Sequence, residues 1–322
     1  MATAEQLKSL IRSHFGREPE QFFTISLQVA AHEAKQGHTS LAHDIRQLVE
    51  MERKKAGHKL FSFPQDLKGL VLSEKPQVTK NTLVINTELK EHIDLIIHEY
   101  RQQNKLKSHG LTHRRKILLI GPPGTGKTMT AKVLATELHV PLHTIQVDRL
   151  VTKFMGETSS KLRQIFDMIH KEHGIYLFDE FDAIGGERSF DNDVGEMRRV
   201  LNSFLQFIEQ DTSDSIIIAA TNNPKLLDQA LFRRFDDVLY YQNPTENERK
   251  QLILNVLGNF KSKRFVWKPV LSKCKILSHA EIVIACIDAI KKAILSDENE
   301  VSAENLNNMI SNRLKAHKGM GE

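Results

Sequence analysis

At 322 residues the chain exceeds one average domain and has room for two or three units, each with its own core. Its 45 Lys and Arg against 40 Asp and Glu leave a formal charge of +5, too weak over this length to argue for nucleic acid. The two cysteines, Cys274 and Cys286, fit neither a disulfide framework nor a zinc site, residues 1–10 are too polar for a secretory signal, and no apolar stretch reaches the roughly 18–20 residues that span a bilayer, so a soluble, cytoplasmic chain without membrane contact is expected.

In chain order, Leu7, Leu10 and Ile11, then Phe23, Leu27, Ala30 and Ala34, then Leu41, Ile45, Leu48 and Val49 fall at helical spacing. They predict a small bundle of three amphipathic helices over residues 1–56. Pro19 suits the first turn of the second helix, Gly37 suits its end, and Thr39 or Ser40 suits the cap of the third. Over 57–80 the pattern is broken by Gly57, Pro64, Gly69 and Pro76, which predicts a linker. The basic runs Arg53-Lys54-Lys55 and Arg114-Arg115-Lys116 stand beside segment boundaries and read as solvated charge.

Residues 81–244 alternate short β-rich apolar runs with helical patterns. The runs are Ile117 to Ile120, Leu142 to Val147, Ile175 to Phe178, Ser215 to Ala220 and Val238 to Tyr241. Leu162, Ile165, Phe166 and Ile169 mark one intervening helix; Met197, Val200, Leu201, Phe204 and Ile208 mark another. The expectation is a P-loop three-layer α/β sandwich on a five-stranded parallel sheet. After Pro244 the strands stop. Thr245 and Glu248 have capping-box spacing, and residues 245–322 read as a small helical lid in which Cys286 is a buried small hydrophobe.

Gly121-Pro122-Pro123-Gly124-Thr125-Gly126-Lys127-Thr128 fits G-x-x-x-x-G-K-[ST] and lies directly after an apolar strand and before a helix. Glycines let main-chain N–H groups turn toward phosphates, the helix N-terminus adds partial positive charge, and Lys127 reaches the outer phosphates. Thr128 offers a hydroxyl to Mg²⁺. Some fifty residues on, Ile175-Tyr176-Leu177-Phe178 ends in Asp179-Glu180, which a buried strand delivers to the carboxyl edge of the sheet, where open parallel sheets bind ligands. Asp179 is expected in the magnesium shell, and Glu180 is expected to orient and deprotonate the attacking water. Together the two segments predict an ATPase that uses Mg-ATP.

With these motifs and the continuation Phe181-Asp182-Ala183-Ile184, residues 80–315 resemble the AAA family proper of the AAA+ ATPases. The resemblance implies a large α/β domain, a helical lid, and a ring, usually a hexamer, with ATP held between neighbouring subunits. Ile216 to Ala220 running into Thr221-Asn222-Asn223 is similar to the family's sensor segment, placing Asn222 at the γ-phosphate or the attacking water; alone, Asn222-Asn223-Pro224 would be a turn. Asp228 to Asp236 resembles the arginine-finger segment, with Arg233 and Arg234 adjacent rather than separated as in many relatives, which leaves open which one touches phosphate. A permanently charged, planar guanidinium suits the charge of the transferring phosphoryl group. Leu277 to Ile282 is similar to the second sensor region, where Gly-Ala approaches the adenine; here the pair is His279-Ala280, and Ser278 also suits a helix cap.

Lys153-Phe154-Met155-Gly156 resembles the aromatic pore loop of protein-threading relatives, and Gly185 to Gly195 suits a second pore loop. The expected function is a hexameric motor that threads client protein through a central pore, with residues 1–56 recruiting a partner protein or client. The alternatives are a DNA loader or helicase, and an ATP-gated scaffold. No H-E-x-x-H or G-x-S-x-G motif occurs, so any protease or effector would be a separate chain.

Overall fold

The computed structural model describes residues 4–15, 19–57, 67, 69–150, 155–185, 193–223 and 232–318. It falls into two compact units, Met1–Phe63 and Pro64–Glu322. The first is the expected bundle of α1 (Ala4–Phe15), α2 (Pro19–Lys35) and α3 (Thr39–Gly57), with α2 packed against both others. Val29, Ala30, Ala42 and Val49 are buried in it. Pro19 opens α2, where its missing N–H is no loss. Past the end of α2 the His38 N–H bonds back to the Glu33 carbonyl at 3.1 Å, and the His38 ring meets the buried Glu33 carboxylate at 2.7 Å, which lowers the pKa of that carboxyl group.

The second unit holds one sheet of β1 (Val71–Glu74), β2 (Lys116–Ile120), β3 (Leu142–Gln146), β4 (Ile175–Asp179), β5 (Ile216–Thr221) and β6 (Asp237–Tyr240) in the order β1-β3-β4-β5-β2-β6. The five strands expected from the sequence are present and parallel. The count of five needs correction, because β1, inside the stretch read as linker, pairs antiparallel with β3 through Val71↔Ile145 to Glu74↔Leu142. Only Val71 of its four residues is buried, so β1 carries no alternation to read; it covers the edge of β3 rather than contributing a face to the core.

Helices cover both faces of the sheet, which is why its central strands are apolar throughout rather than alternating. On one face Ile93 and Ile96 of α4 (Thr87–Arg101) and Ala131 and Leu134 of α5 (Lys127–Leu138) pack on Leu119, Leu177 and Ile218. On the other, Phe166 of α6 (Met155–Lys171) and Phe204 of α7 (Asp193–Gln210) enclose Phe178, with the rings of Phe178 and Phe204 5.0 Å apart and those of Phe181 and Phe204 4.6 Å apart. Truncating fully buried Phe204 to Ala would cost about 3–5 kcal/mol.

Beyond β6, α8 (Glu246–Leu257), a short helix Trp267–Lys273, α9 (His279–Leu295) and α10 (Ala303–Lys318) close around a second core of Leu252, Ile253, Val270, Ile282, Leu306 and Ile310. Both starts expected to be capped carry complete capping boxes: Thr245 with Glu248 on α8, and Ser278 with Glu281 on α9. Cys274 and Cys286 are buried in this core, and burial pushes their thiols up to about 11 and about 12, so both stay protonated at neutral pH. Leu83 and Ile85 pack on the sheet core while Val84 between them packs on the lid core, so one short segment joins the two bodies.

Candidate active site

The loop after β2 is shaped by two close approaches. Gly121 (φ 154°) lies against the main chain past β6, where a Cβ would press on the Tyr241 carbonyl oxygen and come within 2.7 Å of the Tyr241 Cβ. Tyr241 is itself fixed, its N–H bonded to the Ile120 carbonyl at 2.6 Å and its hydroxyl to Thr130 on α5 at 2.7 Å. Gly124 (φ +73°) abuts the start of α9, where a Cβ would lie 2.7 Å from Ser278 Oγ and 3.1 Å from Ala280 Cβ. The Ala280 N–H donates to the Gly124 carbonyl at 2.9 Å, so the loop is bonded directly to the lid. Gly126 precedes α5 without a side chain to cap it, which leaves the first N–H groups of that helix to an anion.

Lys127, only 7% exposed, donates from Nζ to the carbonyls of Gly121 (2.7 Å) and Pro122 (2.9 Å) and to Asn222 Oδ1 (2.8 Å). Burial pushes its pKa down, and the Asp179 and Asp182 carboxylates oppose that. Thr128 Oγ1 donates to Asp179 Oδ2 at 2.8 Å. These are hard oxygen donors of the class Mg²⁺ takes, set beside the loop that would hold phosphates. Asp182 accepts from the Asn222 N–H at 3.2 Å and ties the carboxyl ends of β4 and β5 together. Glu180 sits at the mouth, exposed, with φ +52°. A left-handed conformation at a non-glycine residue costs about 1–3 kcal/mol and turns the side chain off the line of the strand.

Lys127, Thr128, Asp179, Glu180 and Asn222 line one cleft of about 470 Å³, whose wall is part polar and part apolar. They form the polar part; Leu83, Val84, Leu252, Val283 and Ile284 form the apolar part, with His279 and Ala280. Pro123, Thr125 and Gly126 also line it, whereas Gly121 and Pro122 take part through the carbonyls that hold Lys127. Leu83, Val84, Leu252, Val283 and Ile284 were not expected at the site from the sequence. As ordinary apolar residues at helical or irregular spacing, they carry no signal apart from their place beside the loop. Arg233 is exposed and Arg234 Nε lies 3.4 Å from the Glu209 carboxylate; neither lines the cleft of its own chain. Lys153 and Phe154 lie outside the described residues, as does most of the second pore-loop candidate; Met155 and Gly156 are the first residues of α6.

Residues 117–243 match the family described as "ATPase family associated with various cellular activities (AAA)". An "Uncharacterized AAA family ATPase y4kL" of Sinorhizobium fredii is 32% identical over 327 residues, covering 99% of this chain and 98% of that protein. The "ATP-dependent zinc metalloprotease FtsH" of Helicobacter pylori is 34% identical over 195 residues, 58% of this chain but 31% of its own length. That of Rickettsia felis is 32% identical over 232 residues, 69% of this chain and 36% of its own. The chain thus spans about a third of the FtsH relatives and nearly all of y4kL. Its strand-loop-helix cradle, its carboxylates at the sheet edge and this full-length similarity identify the chain as a member of the AAA family of AAA+ ATPases, an enzyme that hydrolyses ATP with Mg²⁺.

Proposed function

We propose that ATP is hydrolysed in this cleft and that the chain works as a ring, a hexamer, that remodels or unfolds protein clients. The observation that carries the first part is the convergence of Lys127, Thr128, Asp179, Glu180 and Asn222 in one cleft. Lys127 exchanges its carbonyl and Asn222 partners for the outer phosphates. Thr128 and Asp179 would hold magnesium, which would supply charge neutralisation of the phosphates. Glu180 takes a proton from the attacking water, and Asn222, released from Lys127, orients that water. Arg233 and Arg234, away from their own cleft, serve the ATP of the adjacent subunit. Their exposure differs, and Arg233 is the one without an acidic neighbour at ion-pair distance among the described residues.

Residues 1–56 act as the adaptor that recruits a client or partner, joined through 57–80 to the ATPase domain 81–244 and its lid 245–322. Lys153, Phe154, Met155 and Gly156 grip the client in the pore. This reading is supported by the similarity to FtsH proteins whose names describe ATP-dependent proteolysis, with the protease supplied here by a separate chain if at all. Phe154→Ala tests it: ring assembly and unstimulated turnover persist, while client-stimulated turnover and remodelling are lost. A variant that melts far below wild type and hydrolyses ATP poorly would make Phe154 a core residue and remove the pore assignment.

A further inference from the structure

The small positive charge of the chain is not spread evenly. Residues 245–322 hold 13 Lys and Arg against nine Asp and Glu, a net +4 of the +5 carried by the whole chain. Within them, the stretch from Arg249 to Ala280 has eight Lys and Arg and no acidic residue. Arg249 is buried, and three of the others are engaged inside the lid: Lys250 Nζ lies 5.4 Å from the centre of the Trp267 ring, Lys261 Nζ 5.9 Å from that of Phe265, and Lys273 Nζ 3.1 Å from Ser311 Oγ. The remaining four, Lys263, Arg264, Lys268 and Lys275, are exposed and have no acidic side chain at ion-pair distance among the described residues.

The local fold explains how these four come to point outward. The short helix Trp267–Lys273 and the turn after it send Val270, Leu271 and Cys274 into the lid core, which leaves Lys268 and Lys275 on the outer side; Lys263 and Arg264 lie in the turn that leads into the helix. Two aliphatic side chains are interleaved with the cations: Val266, 60% exposed, and Ile276, 65% exposed. A single exposed aliphatic residue is ordinary, but two set among like charges that repel one another form a surface that opposite charge and apolar cover would both stabilise.

The same residues separate two kinds of acidic partner. Nucleic acid bound without a groove-reading element takes its affinity from phosphate contacts and from bases stacked on exposed aromatic rings. Here Phe265 is buried, and the Trp267 ring is covered by Lys250 and by Phe265, whose ring centre is 4.8 Å away, so the strip offers no open aromatic face. A phosphodiester backbone would also leave Val266 and Ile276 without apolar cover. A polypeptide that carries carboxylates between aliphatic side chains matches both features.

We propose that Lys263 to Ile276 is a docking surface for an acidic, amphipathic segment of another protein, with its carboxylates on Lys263, Arg264, Lys268 and Lys275 and its aliphatic side chains on Val266 and Ile276. None of these residues lines the ATP cleft, so the proposal does not depend on the reading of that cleft.

The test is fluorescence anisotropy on the full-length chain with three labelled probes of equal charge: a peptide of repeated Glu-Glu-Leu, a peptide of Glu alone, and oligo-dT. Wild type should bind the Glu-Glu-Leu peptide at least about tenfold more tightly than either of the others. Lys268→Glu with Lys275→Glu should lose at least about tenfold of that affinity, because each change turns an attraction into a repulsion, and Ile276→Ser should bring the Glu-Glu-Leu peptide close to the all-Glu one. Lys105→Glu with Lys171→Glu, the same change of charge on exposed lysines of the ATPase domain, should bind as wild type does. If the charge-reversed protein melts below wild type, Lys268→Gln with Lys275→Gln replaces it and should weaken the peptide by about threefold or more. Tighter binding of oligo-dT than of the peptide would make the strip a nucleic-acid surface, and loss of self-association in the charge-reversed protein would make it an interface between copies of this chain. Either result overturns the proposal, as does peptide affinity unchanged by the substitutions at 268 and 275, or no binding by wild type.

Discussion

Gly124→Ala probes the junction between the phosphate loop and the lid. The backbone at Gly124 has φ +73°, a conformation that costs an L-residue roughly 1–2 kcal/mol. The new Cβ would also lie 2.7 Å from Ser278 Oγ and 3.1 Å from Ala280 Cβ, so the loop and the start of α9 must separate. Separation breaks the 2.9 Å bond from the Ala280 N–H to the Gly124 carbonyl, worth about 0.5–1.5 kcal/mol. The sum is roughly 2–3 kcal/mol, which for a unit of this size lowers Tm by about 4–12 °C. Because the cleft is walled by both bodies, nucleotide affinity should fall by at least about tenfold, the equivalent of 1.4 kcal/mol. A double-mutant cycle isolates the contact. Ser278→Ala alone breaks a capping box at a cost of about 1 kcal/mol, but in the Gly124→Ala background it also removes the nearest clashing atom, so the two changes should cost about 1 kcal/mol less together than separately. Thermal melting and ADP titration on the four proteins give the numbers. Additive costs, with ADP affinity unchanged in Gly124→Ala, would refute the claim that loop and lid are rigidly joined here.

Lys127→Ala removes the cation that the loop carbonyls and Asn222 hold in place; calorimetry should show loss of ATP binding, and wild-type affinity would contradict the phosphate assignment. Arg233→Ala should lower turnover by up to about 10³-fold in a folded chain, and Arg234→Ala by less, because Glu209 already engages Arg234. Adding Lys127→Ala subunits, whose own sites are dead but whose arginines are intact, should restore part of the turnover of Arg233→Ala; no rescue in demonstrably mixed rings would argue against action between subunits.

The central strands β2, β4 and β5 were legible because they are buried on both faces and so stand out as nearly unbroken apolar runs. The phosphate loop was legible because its glycines answer to backbone contacts that no other residue permits, as at Gly121 against Tyr241. Strand β1 escaped because its side chains contribute almost nothing to the core; its place is set by the hydrogen-bonding edge of β3, which its own sequence does not encode. Helix α4 was not among the expected elements, although Leu89, Ile93, Ile96 and Ile97 are buried at helical spacing and Asn86 caps it, accepting from the Leu89 N–H at 2.8 Å. The apolar wall of the cleft was hidden for a different reason. Val84 and Val283 acquire their role from the meeting of two cores, a long-range event that local pattern does not report. His279 stood out only as a departure from a familiar pair, and its unpaired nitrogens emerge only in three dimensions.

The central claim is that the cleft hydrolyses ATP with Glu180 as the base, and Glu180→Gln tests it most directly. The amide preserves the size of the side chain at the exposed mouth of the cleft but cannot take a proton from water. Steady-state phosphate release and ATP affinity should be measured on the same preparation. The account predicts wild-type affinity with turnover reduced by at least about 10²-fold, within the range expected for removing a general base. Turnover close to wild type would contradict it and take Glu180 out of the mechanism.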